Sequence, residues 1–288
     1  MLYESTRGKV NAMSPTPESA RTVSEYPLLG WTRRFHPKFS ELSPGRLTEA
    51  VRKRPNKTIH SLLTLAGREI TAQQASDAKA QRQMDEILDR HTSTDTLLVQ
   101  IGANNGQYDD PFFDRIARLG WRALLVEPQQ EHYRTNPNVQ CVRTAIDERH
   151  DQLTLWRIAS DRHQEFSSAT ASVDPTHART EYRRWIAPIG FASPQLQHET
   201  VPAMSLADLF YETEIEPEEV TIFATDTEGL DVSIVRSLVH SGARPSVILW
   251  EHLHTSQQAK NSVDHLLADL GYDTSLSTSK DSMAFLAA

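Results

Sequence analysis

The side chains best suited to chemistry stand where apolar runs stop. Gly102, Ala103, Asn104, Asn105 and Gly106 follow the apolar run from Thr96 to Ile101, and Glu127-Pro128 follow a second run, Leu124-Leu-Val126. Two later runs end in Asp226-Thr-Glu-Gly229 and in Glu251-His252. A small-residue turn opening into a helix lets backbone N–H groups approach a ligand's polar tail, and an acid about twenty residues on accepts hydrogen bonds from a ribose diol. A ligand that carries a nucleoside is the default. A dinucleotide fingerprint needs glycines in a G-x-G-x-x-G register. Here those positions are Gly102, Asn104 and Gln107, so two of the three are missing. That argues against nicotinamide-dependent redox chemistry.

Such side chains need a scaffold, and from residue 95 onward strands and helices alternate. Apolar runs predict strands at 96–101, 122–126, 139–145, 220–225 and 246–250, with helices at 111–119, 130–135, 231–240 and 257–270. Strands apolar throughout and joined by helices imply a mostly parallel sheet covered on both faces. Residues 271–273 and 281–286 predict a closing antiparallel pair. In an open α/β sheet the ligand sits outside the carboxyl ends of the strands, where Gly102, Gly106, Glu127, Pro128, Ala145, Ile146, Asp226, Glu228, Glu251 and His252 all fall.

Residues 1–70 differ in texture. Six prolines punctuate them, Tyr26, Leu28, Leu29, Trp31, Phe35 and Phe39 form an aromatic-rich patch, and Arg33, Arg34, Arg52, Lys53, Arg54 and Lys57 make the segment basic. The run 71–90 reads as a helix with Ala80, Met84, Ile87 and Leu88 at core spacing. The domain expectation is an N-terminal extension over 1–90 and a main domain over 91–288. A polar stretch at 159–200, rich in Ser, His, Arg and Pro, reads as a lid or acceptor-binding insertion.

The chain has 288 residues, ample for a buried core, and a net charge of −8. That charge argues against a nucleic-acid binder working by phosphate neutralisation. No stretch approaches the roughly 20 apolar residues a bilayer needs, and the first residues lack a signal-peptide core. The single cysteine, Cys141, excludes an intramolecular disulfide framework. A cytoplasmic protein is expected, and the oligomeric state stays open.

The motifs resemble the FkbM family of S-adenosylmethionine-dependent methyltransferases. They are the run Ile101-Gly-Ala-Asn-Asn-Gly106, Val126-Glu-Pro128, and Thr225-Asp-Thr-Glu-Gly229 followed by Val232 and Ile234; Met204-Ser-Leu-Ala-Asp-Leu209 is also similar. The resemblance spans about residues 95–287. It implies a Rossmann-like class I methyltransferase fold with a seven-stranded sheet plus an N-terminal helical extension. It also implies transfer of a methyl to a hydroxyl of a sugar, glycolipid or natural product. Gln100 stands where the family usually has Asp, and Asp231 where it often has Glu.

On this resemblance Gly102 and Gly106 give close backbone approach to the methionine portion of the cofactor, and Asn104 faces its carboxylate. Glu127 holds the ribose, Pro128 shapes the adenine wall, and Ala145 and Ile146 line the adenine slot. Methyl transfer from a sulfonium is an in-line displacement, so the enzyme must chiefly position the acceptor and remove its proton. Asp226, Glu228 and His252 are the catalytic candidates, with Asp226 or His252 as general base and Asp226 also counted with the cofactor set. The other form places a divalent cation such as Mg²⁺ on Asp226, Glu228 and Glu251. The metal-free form, with no metal ligands, comes first because such carboxylates also cap the next helix. His163, His177 and His254 read as surface histidines. The alternative function is a catalytically degenerate nucleoside-binding or interaction module, motivated by Gln100 and the uncovered N-terminal segment.

Overall fold

The computed structural model describes residues 72–106, 110–129, 136–158, 171–181 and 195–287. The aromatic and basic segment before residue 71, the helix expected at 130–135, His163 and much of the 159–200 stretch lie outside the described residues.

Seven strands form the main sheet: β1 (Leu97–Ile101), β2 (Arg122–Val126), β3 (Val139–Val142), β7 (Ile222–Thr225), β8 (Val247–Glu251), β9 (Tyr272–Ser277) and β10 (Asp281–Leu286). Their order is β3-β2-β1-β7-β8-β10-β9. The first five run parallel, and β10 is antiparallel to both β8 and β9. The chain therefore winds outward from β1 in both directions, which puts the topological switch point between β1 and β7. Ligands bind at such a point, outside the carboxyl ends.

Two apolar layers hold the sheet. Leu97, Val99 and Ile101 face one side with Leu124, Phe223 and Trp250, under α4 (Leu206–Thr213), α5 (Asp231–His240) and α6 (Gln257–Asp269). Leu98, Leu125 and Ile222 face the other, against α2 (Phe113–Leu119) and α1 (Ala72–Arg90). Ala80, Met84, Ile87 and Leu88 are the buried residues of α1, as their spacing predicts. Fully burying a side chain of this size contributes about 1.5–3 kcal/mol. The α/β architecture expected from the alternating pattern is thus the observed one. Among the described residues no helix is long and apolar enough to cross a membrane.

Two expectations need correction. The strand expected over 139–145 is broken: β3 stops at Val142, and Ala145–Ile146 form β4 of a second sheet. Arg143 turns away to donate from Nε to the Pro128 carbonyl, and the Thr144 hydroxyl donates to the Pro202 carbonyl. The 159–200 stretch is also not one continuous loop. β6 (Leu196–Met204) begins inside it and pairs antiparallel along all of β5 (Gln152–Ile158), and α3 (Pro175–Glu181) lies between them in the chain. Leu155, Val201 and Ala203 supply only a small core there, so the mostly polar β6 gives little apolar signal.

Candidate active site

The turn after β1 is stitched to the end of β2. The Gly102 and Ala103 amides both donate to the Val126 carbonyl, at 2.9 and 3.1 Å. Glu127 receives the Asn104 amide on Oε2 at 3.1 Å and the Gln129 amide on Oε1 at 3.0 Å. Glu127 is only 6% exposed, and burial lifts its carboxyl above the usual range despite those two amides and a further bond from the Gln129 side chain. Ligation of the two turns by one carboxylate is its structural work.

Both glycines of the turn have protein reasons. Gly102 takes φ +76° and a Cβ there would lie 2.0 Å from the Asp226 carbonyl oxygen; at Gly106 it would lie 2.7 Å from Leu125 Cδ1. Asn104 also adopts a left-handed φ of 48°, which Asn tolerates. Gln100 is buried on β1, and its Oε1 has no hydrogen-bond partner among the described residues. Pro128 follows Glu127 at the carboxyl end of β2. Ile146 packs into the main core and Ala145 into that of the small sheet, so protein atoms surround both side chains.

The loop after β7 is organised by Asp231, the first residue of α5. Its carboxylate accepts the Thr225 hydroxyl at 2.8 Å and the amides of Thr227 and Gly229 at 3.0 and 3.4 Å. Burial, with the Asp226 charge next, pushes its carboxyl up to about 6. The loop so shaped leaves Asp226 exposed and holds Glu228 at a left-handed φ of 56°. Non-glycine residues in such conformations cost roughly 1–3 kcal/mol and concentrate at functional sites.

Three carboxylates converge there. Oxygens of Asp226, Glu228 and Glu251 lie within 4.8 Å of one another. Glu251, 4% exposed, has an Oε2 without a hydrogen-bond partner among the described residues. Burial and then the charges of Asp226, Glu228 and Asp231 push its carboxyl well above the ordinary value.

The histidines are distributed differently from expectation. His252, the one singled out by sequence, stands outside this carboxylate group: its Nε2 meets the Ser277 hydroxyl at 3.1 Å. Burial, then the Lys260 charge, lowers its imidazole below the usual value. His177 and His254, expected on the surface, instead meet Glu228. Their Nε2 atoms lie 2.8 and 3.3 Å from Glu228 Oε2, and His177 is 9% exposed. His177 arrives on α3, whose preceding Ser172 bridges to Trp156 of β5 and donates its hydroxyl to the Glu228 carbonyl at 2.8 Å. No local spacing announces this meeting, because the three residues come from three separate segments.

Glycine turn, paired acid and carboxylate loop thus share one edge of a doubly wound sheet. Residues 100–274 match the methyltransferase FkbM domain, more than half of the 288 residues. No curated protein matches the chain. Among solved structures, a precorrin-6y C5,15-methyltransferase from Geobacter metallireducens GS-15 is similar, with 10% identity and a TM-score of 0.33 over 76% of this chain and 91% of that one. The matched region runs from Gln100 through the Asp226–Gly229 loop to Thr274, and so takes in every strand end described above: the chain belongs to the FkbM methyltransferase family.

Proposed function

We propose that the protein uses S-adenosylmethionine to methylate a hydroxyl oxygen of a sugar, glycolipid or related small molecule. The observation that carries this reading is Glu127, a buried acid at the end of β2 whose carboxylate is held by amides of both flanking turns. The residues fit the cofactor. Glu127 is an acid at the position where a ribose diol would bond, Pro128 stands beside it, and the orphaned Gln100 Oε1 suits an ammonium group. Asn104 stands in the turn after β1, its backbone amide on Glu127. When bound, S-adenosylmethionine supplies an electrophilic methyl on a sulfonium that leaves as a neutral thioether.

The chain's own task is then to orient the acceptor and take its proton. Asp226 is the most exposed of the three converging carboxylates and is assigned as proton acceptor. Glu228 lies between Asp226 and the two histidines and positions the acceptor. His252, bonded to Ser277, stays outside this role. An all-oxygen Mg²⁺ site on Asp226, Glu228 and Glu251 remains the competing means of acceptor activation, and a chelator separates the two.

The test is incubation with S-adenosylmethionine bearing a labelled methyl and a panel of free sugars, glycosides and glycolipids. The expected product is an alkali-stable methyl ether. Label recovered only in alkali-labile esters or in amines would overturn the hydroxyl assignment.

A further inference from the structure

We propose that His177, Glu228 and His254 form a binding site for a divalent transition-metal ion. The two Nε2 atoms converge on one carboxylate oxygen at 2.8 and 3.3 Å. Around an ion with bonds of about 2.0–2.1 Å, neighbouring ligand atoms lie roughly 2.9–3.4 Å apart. Two of the three donor pairs are therefore spaced close to the ligands of a single centre, and all three donors lie within 4.8 Å of one another.

The imidazoles are brought together edge to face, with ring centroids 3.6 Å apart, from α3 and from the loop after β8. A second observation points to a cation independently. Buried Glu251, whose Oε2 has no hydrogen-bond partner among the described residues, shares a group with the carboxylates of Asp226 and Glu228. Three like charges meet there, one of them on a buried residue, and a positive ion on the shared Glu228 offsets their repulsion.

The donor chemistry selects the ion. Mg²⁺ and Ca²⁺ prefer oxygen ligands throughout, whereas two imidazoles and a carboxylate suit Zn²⁺, Fe²⁺ or Co²⁺. Three protein ligands also leave coordination positions open, as in sites where a metal binds water or substrate. This differs from the all-oxygen site on Asp226, Glu228 and Glu251, because both nitrogen donors are essential to it. It does not depend on methyl transfer.

The test uses the full chain freed of metal by EDTA dialysis, titrated calorimetrically with Zn²⁺ and separately with Mg²⁺, without S-adenosylmethionine. One Zn²⁺ per chain is expected, bound at least about 100-fold more tightly than Mg²⁺. His177→Ala and His254→Ala should each weaken Zn²⁺ by about 100-fold or more with unchanged circular dichroism. Should His177→Ala misfold, His254→Gln, in a turn between β8 and α6, reads the same contact. Zn²⁺ bound no more tightly than Mg²⁺, or affinity indifferent to both histidines, overturns the proposal and leaves a His177–Glu228 hydrogen bond with His254 beside it. A separate cofactor titration reads the methyltransferase proposal, so either can fail without the other.

Discussion

The Asp226 carbonyl lies so close beneath Gly102 that a Cβ on Gly102 would sit 2.0 Å from its oxygen. The end of β1 and the loop carrying the acids are thus packed backbone to backbone, and the two halves of the site cannot shift independently. Gly102→Ala should cost several kcal/mol, because the residue has φ +76° and nowhere to put the methyl; the φ alone costs about 1 kcal/mol. Gly120 has φ +70° with nothing within 4 Å, so Gly120→Ala isolates the conformational part. Urea denaturation of both variants checks this, and equal losses would contradict it.

Asp231→Asn should change the pH dependence of stability. The Asp231 carboxyl titrates at about 6 when folded, against 3.8 ordinarily. Between those values the folded chain keeps a proton that the unfolded chain has lost. Its contribution to stability is therefore full below pH 3.8 and is lost as pH rises through about 6. That displacement is worth about 3 kcal/mol. Relative to wild type, the Asn variant should gain about that much between about pH 4 and pH 7 in denaturant titrations with EDTA present. A constant gap across the window would be the contrary result.

Asp226→Asn separates binding from chemistry. Loss of a general base lowers turnover by about 10²–10⁴-fold. Cofactor affinity should change far less than turnover, since the substitution keeps the Asp226 backbone amide that donates to the Ile101 carbonyl. Equal turnover in the labelled-methyl assay removes it from the role.

His252→Ala should lose about 1 kcal/mol of stability for the bond to Ser277. Labelled-methyl transfer should stay close to wild type. A collapse of transfer at unchanged fold would return His252 to the catalytic set.

The sheet was legible because its inner parallel strands are mostly apolar and buried, so Leu97–Ile101 and Arg122–Val126 stand out from polar connections. The helix Asp231–His240 was legible to the residue, through a period of buried Ile234, Val235 and Leu238. The small sheet was not. β6 is exposed along much of its length, and its pairing with β5 is set by a distant partner rather than by local pattern. The carboxylates could be placed at strand ends from order alone. His177 and His254 could not, since only the fold brings α3 over the loops after β7 and β8.

The account rests on a cofactor held at the ends of β1 and β2, and a calorimetric titration reads that most directly. S-adenosylmethionine should bind one per chain, in preference to NAD. Glu127→Ala, checked for an unchanged fold, should weaken it by about 1–3 kcal/mol, roughly 5- to 150-fold. Absence of heat at millimolar S-adenosylmethionine, or an affinity indifferent to Glu127, would contradict it.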